Sequence, residues 1–388
     1  LFVSVLVAIF FGTTMSAEEI FKDRKILKRQ RYLHLSWNSY LIAKIVILVL
    51  ISGIQSLLYT LVSSLVIGLY PSFLPYWILL FSLTIWANIL GLSISILFKS
   101  TKVIYITIPI IIIPPIIFSG LMVSYARMHP WLRTEHEVPW IGNLMASRWA
   151  FEALTVELAT NNPLEKEFYP IKKQRSLASW KSEFWIPQME LLLDDKKNDE
   201  IVKNELIKEN KLWKNVKCED CITSTGQLDK QNTTLHLQKL QKAYNKTYQY
   251  WNNAFDELLN QYGKEKYYTA TQRYCNEELL HLASNKYALN KIFVDTVDQE
   301  IVQLSDPLYQ KHTDRMLDAP MYIKSKTIAG IQVDTYWLNT IIIWSFTFLL
   351  YLLLALQITS KLGRKIQNHL KTFELKRTER RKEMNQRA

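Results

Sequence analysis

The chain has 388 residues, of which 49% are hydrophobic, 21% are charged and only 10 are glycine, with a formal net charge of +12. That length would suit two or three soluble domains, but the apolar residues collect at 1–12, 40–70, 73–98, 103–123 and 336–358, and after residue 12 these blocks hold no Asp or Glu and a single charge, Lys44. A bilayer span needs about 20 predominantly apolar residues to cross roughly 30 Å of hydrocarbon, and the last four blocks reach that length, so the pattern excludes an ordinary soluble enzyme and predicts an all-α polytopic membrane protein.

In chain order, the first block covers about 18 Å as a helix, too little to span. It opens at Leu1 without the basic start or the small-residue cleavage site of a signal peptide, so it reads as the tail of a span that begins upstream. The excess positive charge lies wholly beside the blocks. Residues 13–39 hold six Lys/Arg against three Asp/Glu, Lys99 and Lys102 flank the fourth block, the tail 359–388 holds ten against three, and 124–335 hold 28 against 29. The positive-inside rule then predicts transmembrane helices over 1–123 with a cytoplasmic loop at 13–39, a large external domain at 124–335, a last span at 336–358 and a basic cytoplasmic tail at 359–388, in a plasma or inner membrane. The number of crossings gives the same orientation. Basic stretches flanking spans meet anionic lipid headgroups, which leaves no nucleic-acid partner to be explained.

The block 40–70 is about 46 Å long if helical throughout, so it is expected to tilt or to extend past the bilayer before Pro71. Gln55 and Asn88 interrupt their blocks and are expected to hydrogen-bond neighbouring helices, while Lys44 is expected to snorkel to the headgroups. The block at 103–123 carries Pro109, Pro114 and Pro115. Each removes a backbone donor and clashes with the preceding turn, which predicts a kinked or broken helix, either as a packing device or because the freed carbonyls face a water-lined cavity.

The polar segment 124–335 is long enough for its own core. It begins with an amphipathic stretch, 140–158, whose Arg148, Trp149 and Glu152 are expected at the membrane interface. Leu237, Leu240, Tyr244, Tyr248, Trp251, Phe255, Leu258 and Tyr262 recur at steps of three and four, one apolar face of a long helix that Gly263 stops, and such a stripe is more often core than ligand platform. Further helices are expected over Pro187–Trp213 and Thr271–Phe293, giving an α-rich hairpin or small bundle. The three cysteines, Cys218, Cys221 and Cys275, all fall on the external side, where an oxidising compartment favours a disulfide; Cys275 with either Cys218 or Cys221 would tie the second helical region to the third. Zinc needs a fourth ligand and finds only His281 nearby, so no metal site is expected. Asn232 and Asn245 begin N-x-T sequons, of consequence only where the outer face is glycosylated. The chain has no H-E-x-x-H, no G-x-S-x-G and no G-x-x-x-x-G-K-[ST] phosphate loop, so no catalytic residue and no cofactor is assigned to it.

Two stretches carry a family resemblance. IFSGLMVS at 117–124 is followed by WIGNLMASRWAFEALTVEL at 140–158, and upstream stands SAEEIFKDRKILKRQRYLHLSWNSYLIAK at 16–44. In order and spacing these resemble the end of the fifth transmembrane helix, the re-entrant stretch and the first cytoplasmic loop of the permease half of type-2 ABC exporters of the G subfamily. The resemblance covers residues 1–158 and 336–358. It implies a coupling loop resting on an ATPase, with Glu19, Arg24, Arg29 and Gln30 in that role, although the family commonly has Arg-Glu where this chain has Arg29 and Gln30. It further implies a hydrophobic valve at Leu121 and Met122 and a substrate cavity with Ile9, Gly12 and Phe118 as candidate wall residues. ATP and Mg would be held by an ABC ATPase domain or subunit outside this chain, and two copies or half-transporters would pair. The reading is thus the permease of an ATP-driven exporter of a lipid-like or amphipathic substrate. Its alternative is a membrane-anchored external binding or signalling module without transport activity. A secondary transporter is weakened by the lack of ionisable groups in the spans.

Overall fold

The structure is a computed structural model that describes residues 1–30, 36–68, 70–98, 100–121, 123, 125–134, 137–212, 218, 221, 228–285, 290–310, 320–328 and 330–358. Five helices open the chain: α1 (Phe2–Ser16), α2 (Glu19–Gln30), α3 (Trp37–Ile67), α4 (Phe73–Leu97) and α5 (Thr101–Ile117). The polar segment follows as α6 (Trp140–Asn143), α7 (Ala146–Thr160), α8 (Glu165–Trp180), which runs through a π-turn at Lys181–Trp185 into α9 (Ile186–Asp194), then α10 (Asp199–Leu212), α11 (Lys230–Tyr262), α12 (Lys264–Tyr274) and α13 (Glu277–Ala283). Two antiparallel hairpins, β1 (Ile292–Asp295) with β2 (Glu300–Gln303) and β3 (Ser325–Ile328) with β4 (Ile331–Asp334), lead into α14 (Thr335–Ala355).

Among the described residues, four helical stretches are long and apolar enough to cross a membrane, Phe2–Arg29, Trp37–Val66, Phe73–Leu97 and Thr335–Ala355, and α5 is a shorter apolar helix. The molecule is a multi-pass, helical membrane protein, as its apolar blocks require. Its main core joins α1, α4, α7 and α14, and Ala283, Leu308 and Tyr322 of the polar segment belong to the same cluster. Close approach of α1 to α4 depends on two glycines. A Cβ on Gly12 would lie 2.7 Å from both Ala87 Cβ and the Thr84 carbonyl oxygen, and one on Gly91 would meet Ser16 Oγ and stand 2.6 Å from the Thr13 carbonyl oxygen. Small residues let helix backbones touch where the surrounding lipid supplies no hydrophobic drive between them.

Several local expectations change. The three prolines do not break α5, which runs on past Pro115 to Ile117; Phe118 N–H then donates to Pro114 O at 2.9 Å and Ser147 Oγ donates to Pro115 O at 3.2 Å, so the end of the helix keeps partners. Lys44 does not snorkel, because acidic partners on α2 are within reach, as described below. Asn88 Nδ2 donates across to Ser52 Oγ of α3 at 2.6 Å, the interhelical bond its position called for, whereas Gln55 Oε1 is buried without a partner. The helix expected over Thr271–Phe293 is instead α12, α13 and the start of β1. Asn276 interrupts it, its side chain accepting from Leu279 N–H at 3.0 Å as the cap of α13, and Phe293 alternates in a strand. The stripe on α11 buries Leu237, Leu240 and Tyr244 against Trp185 and Met189, and Phe255, Leu258 and Tyr262 pack around Phe168, with Tyr248 exposed between them. Gly263 ends the helix at φ +90°.

Filling the α1–α4 crossing is expected to split it. Gly12→Ala and Gly91→Ala should each lower stability by about 1–3 kcal/mol, the usual cost of overpacking, read as a fall in melting temperature in lipid nanodiscs, whereas Gly53→Ala, whose Cβ would meet only Phe81 at 3.5 Å, should be close to neutral.

Candidate functional site

At the α2 end of the bundle, charged side chains pin a short polar helix to two spans. Arg24 Nη2 lies 2.9, 2.8 and 2.6 Å from the carbonyl oxygens of Ser95, Ile96 and Phe98. Ser95 and Ile96 belong to the last turn of α4 and Phe98 caps it, and the carbonyls at a helix C-terminus attract a cation. Phe21 N–H donates to Ser95 Oγ at 2.8 Å beside them. On the other face Lys44 of α3 sits 2.7 Å from Glu19 and 2.9 Å from Asp23, and Tyr40 Oη donates to Asp23 at 2.8 Å. Of the four residues expected to form a coupling loop, Glu19 and Arg24 therefore face the bundle and hold α2 in place, Arg29 is exposed in its last turn, and Gln30 closes the helix. Asp23 was not singled out by its sequence; its spacing of four from Glu19 was the available signal.

At the far end of α5 the IFSG turn is built around one glycine and one tyrosine. Gly120 has φ +79°, and a Cβ there would lie 2.7 Å from the Tyr125 ring, so both conformation and space demand glycine. Tyr125 Oη donates back to Phe118 O at 3.2 Å. Leu121 is half-buried and lines a cavity of about 270 Å³ with Gly120, Tyr125, Pro320, Met321 and Tyr322. Met122 lies outside the described residues. Phe118 is half-buried at the end of α5. The expected wall residues of α1 are corrected: Ile9 is buried in the main core and Gly12 is pressed against Ala87 and Thr84, while Phe10 and Phe11 carry the open face of that helix.

The densest polar cluster lies on α7. Arg148, Trp149 and Glu152, expected at an interface, are 1%, 1% and 0% exposed, because the polar segment folds back over them. Glu152 Oε1 accepts from Lys326 Nζ at 2.7 Å and Tyr322 N–H at 3.3 Å. Its Oε2 accepts from Asn339 Nδ2 of α14 at 2.8 Å and lies 3.6 Å from Arg148 Nη1. Asn339 Nδ2 also reaches Trp149 O at 3.0 Å. Lys326 is 0% exposed. Burial pushes the Glu152 carboxyl up, but Arg148, Lys326 and the hydrogen bonds of Lys326 and Asn339 hold it below the ordinary carboxylate value. Burial also pulls Lys326 down to about 8, since the repulsion from Arg148 adds to desolvation and Glu152 only partly offsets them. Burial raises the neighbouring Tyr125 hydroxyl to about 12. Nothing in the sequence foretold Lys326, which stands 174 residues from its partner.

The expected pairing of Cys275 is corrected. Cys218 and Cys221 are bonded to each other with Cα atoms 5.5 Å apart, and Cys275 is a free thiol. The two sites belong to different apolar clusters, Cys221 with Trp185 and Leu237 and Cys275 with Phe168 and Tyr262, which keeps them apart. Burial, with the Glu165 carboxylate beside it, pushes the Cys275 thiol up to about 11.

Comparison with known proteins places the bundle. Residues 1–158 match the family model described as ABC-2 type transporter. That stretch, about two fifths of the chain, is similar to an ABC-2 type membrane domain. Over 161 residues the chain is 24% identical to the ABC transporter ATP-binding/permease protein Rv1747 of Mycobacterium tuberculosis, a stretch that covers 39% of this chain and 18% of that protein. The chain thus spans under a fifth of that relative's length. No solved structure matches it. The matched region contains α2, the IFSG turn and α7 up to Leu158 with both Arg148 and Glu152, and leaves out Tyr322, Lys326 and Asn339, so the hydrogen-bond donors to Glu152 come from outside that region.

Two outcomes follow from this geometry. Between about pH 8 and 10.5 the unfolded chain keeps a proton on Lys326 that the folded chain has released, so this residue makes stability rise with pH across that window, by at most about 1.4 kcal/mol per pH unit; the rise should be missing from melting curves of Lys326→Met. Non-reducing peptide mapping should find Cys218 joined to Cys221, and Cys275 should alkylate at pH 8 with about a hundredfold less thiolate than an ordinary cysteine.

Proposed function

We propose that residues 1–158, which match an ABC-2 type transporter model, act as a permease component together with an ABC ATPase. The chain is then the permease of an exporter that carries an amphipathic, lipid-like substrate outward, with α2 as the cytoplasmic lever that meets the ATPase and Leu121 as the outer constriction. The observation that carries this reading is the fastening of α2 to the ends of both α3 and α4 by Arg24 and Lys44. A short helix so held cannot be displaced without moving two spans, which is what a lever between an ATPase and a transmembrane path requires. Arg29, exposed at the end of α2, is then free to touch the ATPase.

The charge distribution of the sequence supports a cytoplasmic side for α2, residues 99–102 and the tail and an outer side for 124–335. ATP and Mg belong to the ATPase partner. Val103, Ile106, Ile110, Ile113 and Ile117 form an exposed apolar stripe on α5; with Phe10 and Phe11 of α1 it would face a second copy of the chain across a shared path, and the remaining apolar surface would face lipid. Apolar walls without ionisable groups favour an amphipathic cargo over a solute that needs ion coupling. The polar segment forms the outer cover of the path, since residues 320–322 share the cavity above Leu121.

The test is reconstitution of the full-length gene product, or of this chain with its encoded ATPase, in liposomes. Leu121→Arg should cut transport at least tenfold while ATP hydrolysis continues. Arg24→Ala, which removes charge-assisted hydrogen bonds to the end of α4 worth about 1.5–3 kcal/mol, should uncouple hydrolysis from transport, with at least a tenfold loss of transport per ATP. If no ATPase binds the chain, or if both variants transport as the parent does, the reading is wrong.

A further inference from the structure

The cluster around Glu152 is incompletely paired in a particular way. Both donors to Oε1, Lys326 Nζ and Tyr322 N–H, come from the stretch that enters β3, while Oε2 faces Asn339 of α14 and Arg148 of α7 itself. Arg148 stands one helical turn before Glu152 and stacks on the Trp149 ring at 4.0 Å; at 3.6 Å it is ion-paired with the carboxylate but too far for a hydrogen bond, and its Nε and Nη1 are buried without hydrogen-bond partners. Tyr322 Oη, Thr327 Oγ1 and Asn339 Oδ1 around it are also buried and unpartnered. The site holds two buried cations and one buried carboxylate, all three at most 1% exposed.

A buried charge that loses its partner is strongly destabilising, and that cost would ordinarily keep Lys326 and Glu152 locked together. Here the carboxylate has a second suitor in place. The guanidinium fork of Arg148 matches a carboxylate in two parallel bonds and needs only a side-chain rotation to reach it along the same helix. We infer that Glu152 is a partner-exchange switch: bonded to Lys326 it holds residues 320–328 down over α7, and bonded to Arg148 it releases them. The two states keep the carboxylate satisfied, which is what allows an element packed in a dry core to have two discrete arrangements. In the released state Lys326 leaves with its hairpin and regains water.

The consequence reaches the valve. Pro320, Met321 and Tyr322 share with Leu121 and Gly120 the wall of the cavity at the end of α5. Lifting 320–328 therefore uncovers Leu121 from the side of the polar segment, and the hairpin serves as a cover whose latch is one carboxylate. This last step rests on the exporter reading, whereas the switch itself concerns only the chain's own conformations.

The test is amide hydrogen exchange of the purified full chain in lipid nanodiscs, with no ATP and no cargo, so that its failure is separate from failure of the exporter reading. Lys326→Met should lower the protection of the 325–334 hairpin at least tenfold, because Arg148 takes the carboxylate. Arg148→Met should raise hairpin protection several-fold, because the released state loses its acceptor, and Arg148→Lys, which lacks the fork, should act in the same direction if the methionine variant does not fold. Protection of α11, remote from the cluster, should not change in either case. The proposal is overturned if Lys326→Met leaves the hairpin as protected as in the parent, if removing Arg148 loosens the hairpin as removing Lys326 does, or if α11 amides fall in parallel, since each marks a static ion cluster whose loss weakens the whole fold.

Discussion

A carboxylate taken out of water must be met by donors, and Glu152 organises the end of the bundle that joins the polar segment through that requirement. It is 0% exposed and draws its donors from far along the chain, Tyr322 just before β3, Lys326 in β3 and Asn339 in the first turns of α14, while Arg148 of its own helix stands 3.6 Å away. Satisfying one side chain thus fixes how the polar segment returns to the membrane and where the last span begins. The same junction carries Tyr336, whose hydroxyl donates to Pro75 O at the start of α4 at 2.7 Å, and Thr335, whose hydroxyl donates to Ile323 O at 2.6 Å.

The opposite end obeys a related rule with the polarity reversed. There the groups in need of partners are the last carbonyls of α4, and the cation that meets them is Arg24. Between the two ends α4 is the common member. It is held against α1 by Gly12 and Gly91 at near-contact distance, against α3 by the Asn88–Ser52 bond and against α14 by the Trp344 Nε1 bond to Ser82 Oγ at 3.1 Å. Helices joined this closely move as one body, because a glycine contact has no side chain that could slide or repack.

How much of this was legible in the sequence depends on the range of the interaction. The spans at α3, α4 and α14 were legible because apolar block length answers to bilayer thickness, whereas Phe2–Arg29 is longer than the block 1–12 and α5 stops at Ile117, short of the block 103–123; the end of α11 was legible at Gly263 because a helix stop is local. The IFSG turn and the Arg148–Leu154 stretch were recognisable as patterns, and their place in the ABC-2 region agrees with that resemblance. The roles of Ile9 and Gly12 were misread because a helix has several faces and composition does not say which one meets a neighbour; the glycine that fits a cavity wall fits a helix crossing equally well. Arg148 and Glu152 looked like interface residues because a charged pair on an amphipathic helix ordinarily seeks water, and only the fold brings Lys326 across 174 residues to make burial possible. The cysteines failed for the opposite reason: the bond formed is the local one, at a separation of three.

The two ends differ in what motion they permit. Arg24 bonds three backbone carbonyls at the end of α4, so displacing α2 takes a charge-assisted donor from all of them at once. Glu152 has two cations within reach and needs only one, so its surroundings can rearrange without exposing a bare charge. On the exporter reading, rigidity at the α2 end and exchange at the Glu152 end would be complementary: a displacement delivered to α2 would pass along α4 and α14 to a polar cluster that can change partners instead of resisting. With both ends rigid that displacement would have no place to act, and with both ends exchangeable it would be dissipated on the way.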